Sequence, residues 1–266
     1  MVYYTNEEYL RKTIMEQSRH QFIYSYNDDR RKLFLQKLDS EYPVVMDCNN
    51  PMCIYLNEFG LPKVPMEFEA LDNNRIDILS REYLSFTIAH AILEKSKNNI
   101  DNNLLNSRIR RLLDLINKYD LNGDYKEITS LDELISVLKQ SKSFYMSYYL
   151  EYIKTGKETM SISELPIPFL QLESFVSQYK RALNNKSHFG IVLDKYDDIL
   201  LESTKAVNLF VSSRINSNIS MKIVLEPDNW DTYITPNGQY AEAIHDYGII
   251  ELDDSRTEYV KQLKKV

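Results

Sequence analysis

The sequence predicts an α/β protein: a mainly parallel five-stranded sheet flanked by helices and interrupted by a large all-helical insertion. Five short apolar runs, rich in β-branched and aromatic residues, carry the first part of that prediction. They are apolar throughout rather than alternating, as strands covered on both faces must be. Stretches of helical spacing separate them, long enough to return the chain for a parallel neighbour. From about residue 66 to 183 strand patterning stops and only helical periodicity remains. The α/β core is therefore expected in two parts, 1–67 and 184–266, with the insertion at 68–183 between the second and third strands.

The first strand is the run Phe22, Ile23 and Tyr24, and the helix after it repeats Leu33, Leu35 and Leu38. The second strand is read at Val44, Val45 and Met46. Within the insertion, Ile76, Leu79, Tyr83, Phe86, Ile92 and Leu93 predict a helix over 75–97, and Leu105, Ile109, Leu112 and Ile116 one over 104–119. Two more are expected over 131–138 and 144–153. A last one spans 169–183, entered after Pro166 and Pro168 because proline is excluded from a helix interior. Breaks at 98–103, 122–124 and 184–187 read as loops. The remaining strands fall at 189–193, 221–225 and 247–252, with a helix following the first of these from Ile199.

Composition narrows the function classes. With 32 Lys and Arg against 39 Asp and Glu, the formal charge of −7 argues against coating nucleic acid with the whole surface. Charged and hydrophobic fractions of 27% and 43% exclude a disordered chain. No apolar run reaches the roughly 18 residues that cross a bilayer, and the opening residues lack the basic flank and apolar stretch of a secretory signal. A cytoplasmic location is expected. Cys48 and Cys53 form no disulfide scaffold, and the scattered His20, His90, His188 and His245 do not complete a zinc set.

The first strand, turn and helix have the length and framing of a phosphate-binding P-loop, in which backbone N–H groups cradle phosphates, a Lys neutralises them and a hydroxyl holds Mg²⁺. The chemistry differs. Ser25, Asp28 and Arg30 stand where glycines would be, Arg31 replaces the Lys, and Lys32 replaces the hydroxyl residue. Side chains there block close backbone approach, and Asp28 and Asp29 bring negative charge toward a triphosphate. The third strand ends in Asp194, a Mg²⁺-holding position, but Lys195 follows where a catalytic Glu belongs.

Residues 194–199 (DKYDDI), 207–214 (VNLFVSSR), 221–227 (MKIVLEP) and 245–253 (HDYGIIELD) resemble bacterial AAA+ ATPases of the ORC/CDC6-like group. The resemblance is clearest over 188–253 and extends to 21–48; the helical insertion resembles no named family. It implies a P-loop-type fold and places Arg214 where such ATPases carry an arginine finger that acts on a neighbouring subunit. Glu226 lies near the sensor position, which is acidic here rather than Asn or Thr. One helix over 255–266 leaves no AAA+ lid. The expectation is a catalytically degenerate scaffold or regulatory subunit of an ATPase assembly, in a DNA-processing, mobile-element or phage-defence setting. Its partner would be an active AAA+ ATPase or copies of itself, with nucleic acid touched only indirectly, no membrane, and no cofactor, since the altered turn suits ATP and Mg²⁺ poorly.

Two other classes stay open. In an atypical nucleotide-binding or metal-dependent enzyme, Arg30, Arg31 and Lys32 would bind an anion while Asp194, Asp197 and Asp198 hold a metal. In a pure interaction protein the helical insertion would do the binding. Residues 120–124 (DLNGD) read as a turn rather than a calcium loop, because Gly arrives early and Leu131 stands where Glu is needed. Tyr145, Tyr148, Tyr149 and Tyr152 read as a packing face or protein interface, Arg108, Arg110 and Arg111 as a solvated face, and His245 with Asp246 as strand-end residues.

Overall fold

A computed structural model describes residues 7–63, 72–118, 127–158, 160–162, 165–194, 199–212, 218–227, 229–243 and 245–253. Five parallel strands, β1 (His20–Tyr24), β2 (Met52–Leu56), β3 (Phe189–Asp194), β4 (Ile219–Leu225) and β5 (Tyr247–Glu251), form one sheet in the order β2-β3-β4-β1-β5. The predicted α/β class holds, and the architecture is consistent with a P-loop domain. All five strands end on one edge, the edge where open α/β sheets bind ligands.

Helices cover both faces. On one, α1 (Glu7–Glu16) and α2 (Asp28–Glu41) set Leu10, Ile14, Met15, Phe34, Leu35 and Leu38 against Ile23, Val192 and Val224. Gly190 permits this: a Cβ there would lie 2.7 Å from the Met15 methyl. Lys222, wholly buried in β4, donates to the carbonyls of Gln17 (2.8 Å) and Arg19 (2.7 Å), closing the end of α1. The opposite face carries α3 (Asn73–Asn99), α4 (Asn102–Arg108), α5 (Arg110–Asn117), α6 (Leu131–Thr155), α7 (Leu172–Ala182) and α8 (Leu201–Ser212). One apolar cluster runs from Phe22, Ile54 and Ile191 through α3 and α8 to Tyr145, Tyr149 and Tyr179, so sheet and helical half share a core. The four tyrosines of α6 are buried, as a packing face requires.

Several boundaries differ from the sequence reading. The second strand is Met52–Leu56, not 44–46: Val44 is buried, but its short run precedes Asp47, which turns with φ 53°. The expected helices over 131–138 and 144–153 are one. The polar stretch between them stays helical because Ser141 packs fully buried while Lys139, Gln140 and Ser143 face water. Ser130 caps that helix through Glu133 N–H (3.2 Å), and Gly156, at φ 65°, ends it. The helix expected over 104–119 breaks at Ile109 into α4 and α5. Helix α1 had only Leu10, Ile14 and Met15 to announce it. The 122–124 turn and the 255–266 helix lie outside the described residues.

Between β4 and β5 the chain makes a long excursion, turned by the Ile234–Tyr240 bridge. Buried Asn208 of α8 pins it, donating to Thr232 O (2.8 Å) and Ile234 O (2.9 Å) and accepting from Trp230 Nε1 (3.2 Å).

Candidate functional site

The turn from β1 to α2 is only Ser25, Tyr26 and Asn27. Ser25 N–H continues the ladder to Leu225 O (3.1 Å), and Asn27, extended at φ −101° and ψ 105°, caps α2 by accepting from Arg30 N–H (3.0 Å). Arg31 N–H bonds Asn27 O (2.9 Å), and Asn27 N–H bonds Ser25 Oγ (3.2 Å). Tyr26 N–H donates to the carboxylate of Asp253, just past β5. Each of these five amides thus has an acceptor within the chain. The Ser25 hydroxyl lies 3.0 Å from Asn27 O and 3.1 Å from Asp253 Oδ1, and gives its one proton to either.

Arg31 points from the first turn of α2 under the strand ends, its side chain only 2% exposed. Its Nη2 meets Asp28 Oδ1 at 2.5 Å, its Nε lies 3.6 Å from Asp194 Oδ1, and its Nη1 lies 3.7 Å from Glu226 Oε1. Tyr55, at the end of β2, donates to Asp194 Oδ2 (3.1 Å). Burial raises the pKa of Asp194, opposed by the Arg31 charge and the Tyr55 hydrogen bond. Burial, and then the Asp194 charge, pushes the Tyr55 phenol up to about 12. Lys32 turns outward to Asp28 Oδ2 (2.7 Å), which, with Arg31, holds the Asp28 carboxyl below its ordinary range. Arg30 reaches Glu7 Oε1 (3.4 Å) and Asp253 Oδ1 (3.9 Å).

The structure therefore gathers the residues the sequence singled out, Ser25, Asp28, Arg30, Arg31, Lys32, Asp194 and Glu226, at one sheet edge. It also brings in Tyr55 and Asp253, which sequence reasoning missed as site residues. Misplacing the second strand hid Tyr55; nothing in the sequence places Asp253 beside Ser25. Arg214, Lys195, Asp197 and Asp198 lie outside the described residues. Among the described residues no group of three His, Cys, Asp or Glu is arranged to hold a metal ion.

The ORC-CDC6-like family model matches residues 66–266. The chain belongs to the ORC-CDC6-like family. The match takes in the helical half, which on sequence alone resembled nothing, and β3 through β5, while β1, β2 and α2 precede it. No curated protein and no solved structure matches the chain significantly. Membership makes this an AAA+ ATPase-related protein. In this ORC-CDC6-like chain the strand-end edge carries a buried guanidinium among three carboxylates. Among the described residues no helix is long and apolar enough to cross a membrane.

Elsewhere, Arg108 is bonded bidentately to Asp47 (3.1 and 3.2 Å), and Asp246 accepts from Glu242 N–H (2.8 Å) at the entry to β5. Cys53 is buried, which pushes its thiol up to about 12. A cavity of about 540 Å³, lined by Phe169, Leu172, Phe210 and Glu82 among others, shares no residue with the strand-end site.

Proposed function

We propose that this protein is a non-hydrolysing member of its family, a scaffold or regulatory subunit that assembles with an active AAA+ ATPase or with copies of itself. The observation that carries the reading is Arg31. In a working P-loop ATPase, a Lys and a Mg²⁺ ion balance the charge of a triphosphate against the acidic strand end. Here a side chain of the protein itself lies between Asp28, Asp194 and Glu226, so a fixed guanidinium stands beside the acidic strand end where the Lys and the metal ion would act. The engaged amides of the β1–α2 turn support the same reading, because a phosphate cradle needs such groups free.

Two measurements test it. The purified chain should hydrolyse no ATP, and Mg²⁺-ATP should leave its Tm unchanged; Mg²⁺-dependent turnover by the lone chain overturns the proposal. In assembly with a partner ATPase, Arg214→Ala should lower the partner's turnover by about 10³-fold or more, the range an arginine finger contributes. Unchanged partner activity rejects that role for Arg214. A DNA-processing, mobile-element or phage-defence setting follows from family kinship and would be read from the neighbouring genes.

A further inference from the structure

We propose that Asp253 is a tethered anion that occupies the β1–α2 turn in cis, a latch that keeps free oxyanions out and fixes where the chain leaves the sheet. The proposal deepens the non-hydrolysing reading, since it names what fills the turn. The β1–β5 ladder runs through Leu252, whose N–H donates to Tyr24 O (2.8 Å). The next side chain folds back over the turn and is 8% exposed. Its carboxylate accepts from Tyr26 N–H, lies 3.1 Å from Ser25 Oγ, and lies 3.9 Å from Arg30 Nη1. Arg30 also faces Glu7 Oε1 at 3.4 Å, so the head of α1, the start of α2 and the exit of β5 meet on one guanidinium.

An amide, a hydroxyl and a guanidinium converging on two oxygens is the chemistry that recognises an oxyanion. Asp253 supplies those oxygens from a position already fixed by the ladder and on a side chain with few rotatable bonds. Its effective concentration at the turn therefore exceeds that of an anion free in solution at millimolar levels. The intact protein is accordingly blind to phosphate. Removing the carboxylate bares the three donors and loosens the end of β5 together.

The test compares wild type, Asp253→Ala and Asp253→Ala/Arg30→Gln, with inorganic phosphate as probe against chloride at matched ionic strength. Wild-type Tm should not respond. Asp253→Ala should melt roughly 5 °C lower, as expected when a charge-assisted hydrogen bond is lost from a domain of this size. Millimolar phosphate should restore much of that loss, and the added Arg30→Gln should abolish the restoration. A phosphate-insensitive Asp253→Ala, or a wild type that responds equally, overturns the latch. If Asp253→Ala does not fold, Asp253→Asn keeps an acceptor for Tyr26 N–H while dropping the charge that Arg30 faces. Its Tyr26 amide should exchange faster than in wild type and be slowed by phosphate; equal rates overturn the proposal. ATP turnover by wild type would remove the non-hydrolysing reading and leave the latch, whereas a silent Asp253→Ala would do the reverse.

Discussion

Arg31 and Asp194 need each other because both are buried. Withdrawing one partner of such a pair leaves an uncompensated charge, which costs about 3–5 kcal/mol, while replacing both is often close to neutral. Arg31→Met should therefore destabilise the protein by about that amount in urea denaturation, and Arg31→Met/Asp194→Asn should recover most of it. A double variant no more stable than the single one would show that Arg31 matters through packing alone. Arg31→Lys should not rescue, since a point charge cannot face Asp28, Asp194 and Glu226 together. A second residue-scale effect comes from His20 and His188. Burial, aided by the Lys222 charge, lowers both imidazoles to about 4, and His20 Nδ1 accepts from Met221 N–H (2.9 Å), which requires it neutral. The unfolded chain, with imidazoles near 6.5, binds more protons in between. Stability is thus fully present above about pH 6.5 and falls as pH drops toward about 4, by roughly 3 kcal/mol per imidazole. Asp194 and Glu82, raised by burial, act in the opposite sense and stabilise on acidification. Chemical denaturation across pH 4–7 should show His20→Asn/His188→Asn flattening the acid limb; an unchanged slope would assign the acid sensitivity elsewhere.

At the scale of elements, Asn208 ties α8 to the excursion before β5. Truncation to Ala removes the donor to two part-buried carbonyls and the acceptor of the Trp230 indole N–H, a loss of about 2–4 kcal/mol, and the Trp230 fluorescence should shift toward that of a hydrated indole. An Asn208→Ala protein with wild-type stability and emission would show that the excursion holds itself. Legibility in the sequence also varied by element. The strands β3 and β4 announce themselves because both faces are covered and almost every residue is apolar, and β1 and β5 by their shorter apolar runs, although Ile249 and Glu251 of β5 are exposed. The second strand was displaced because Val-Val-Met is the more strand-like run, whereas Met52 to Leu56 gains its ladder from β3, far along the chain. Helix α6 looked interrupted since a solvent-facing polar stretch reads like a loop until the single buried Ser141 is seen to keep period with its neighbours.

Across the whole molecule, the candidate site is assembled from positions around 25–31, 194, 226 and 253. The first two were readable because a strand-turn-helix and a strand ending in Asp have local signatures. Contacts such as Ser25 with Asp253, 228 residues apart, and Tyr55 with Asp194, 139 residues apart, leave no trace in any window of sequence. Only the strand order brings them together, and that order has a bearing on how the protein is made. The first strand is flanked by the last two, so a ribosome delivers β1 long before either neighbour exists. Phe22 and Ile23 must wait, unpaired, while the entire helical half emerges, which makes the nascent chain a natural client for chaperones and assigns the closing of the sheet to the arrival of β4 and β5.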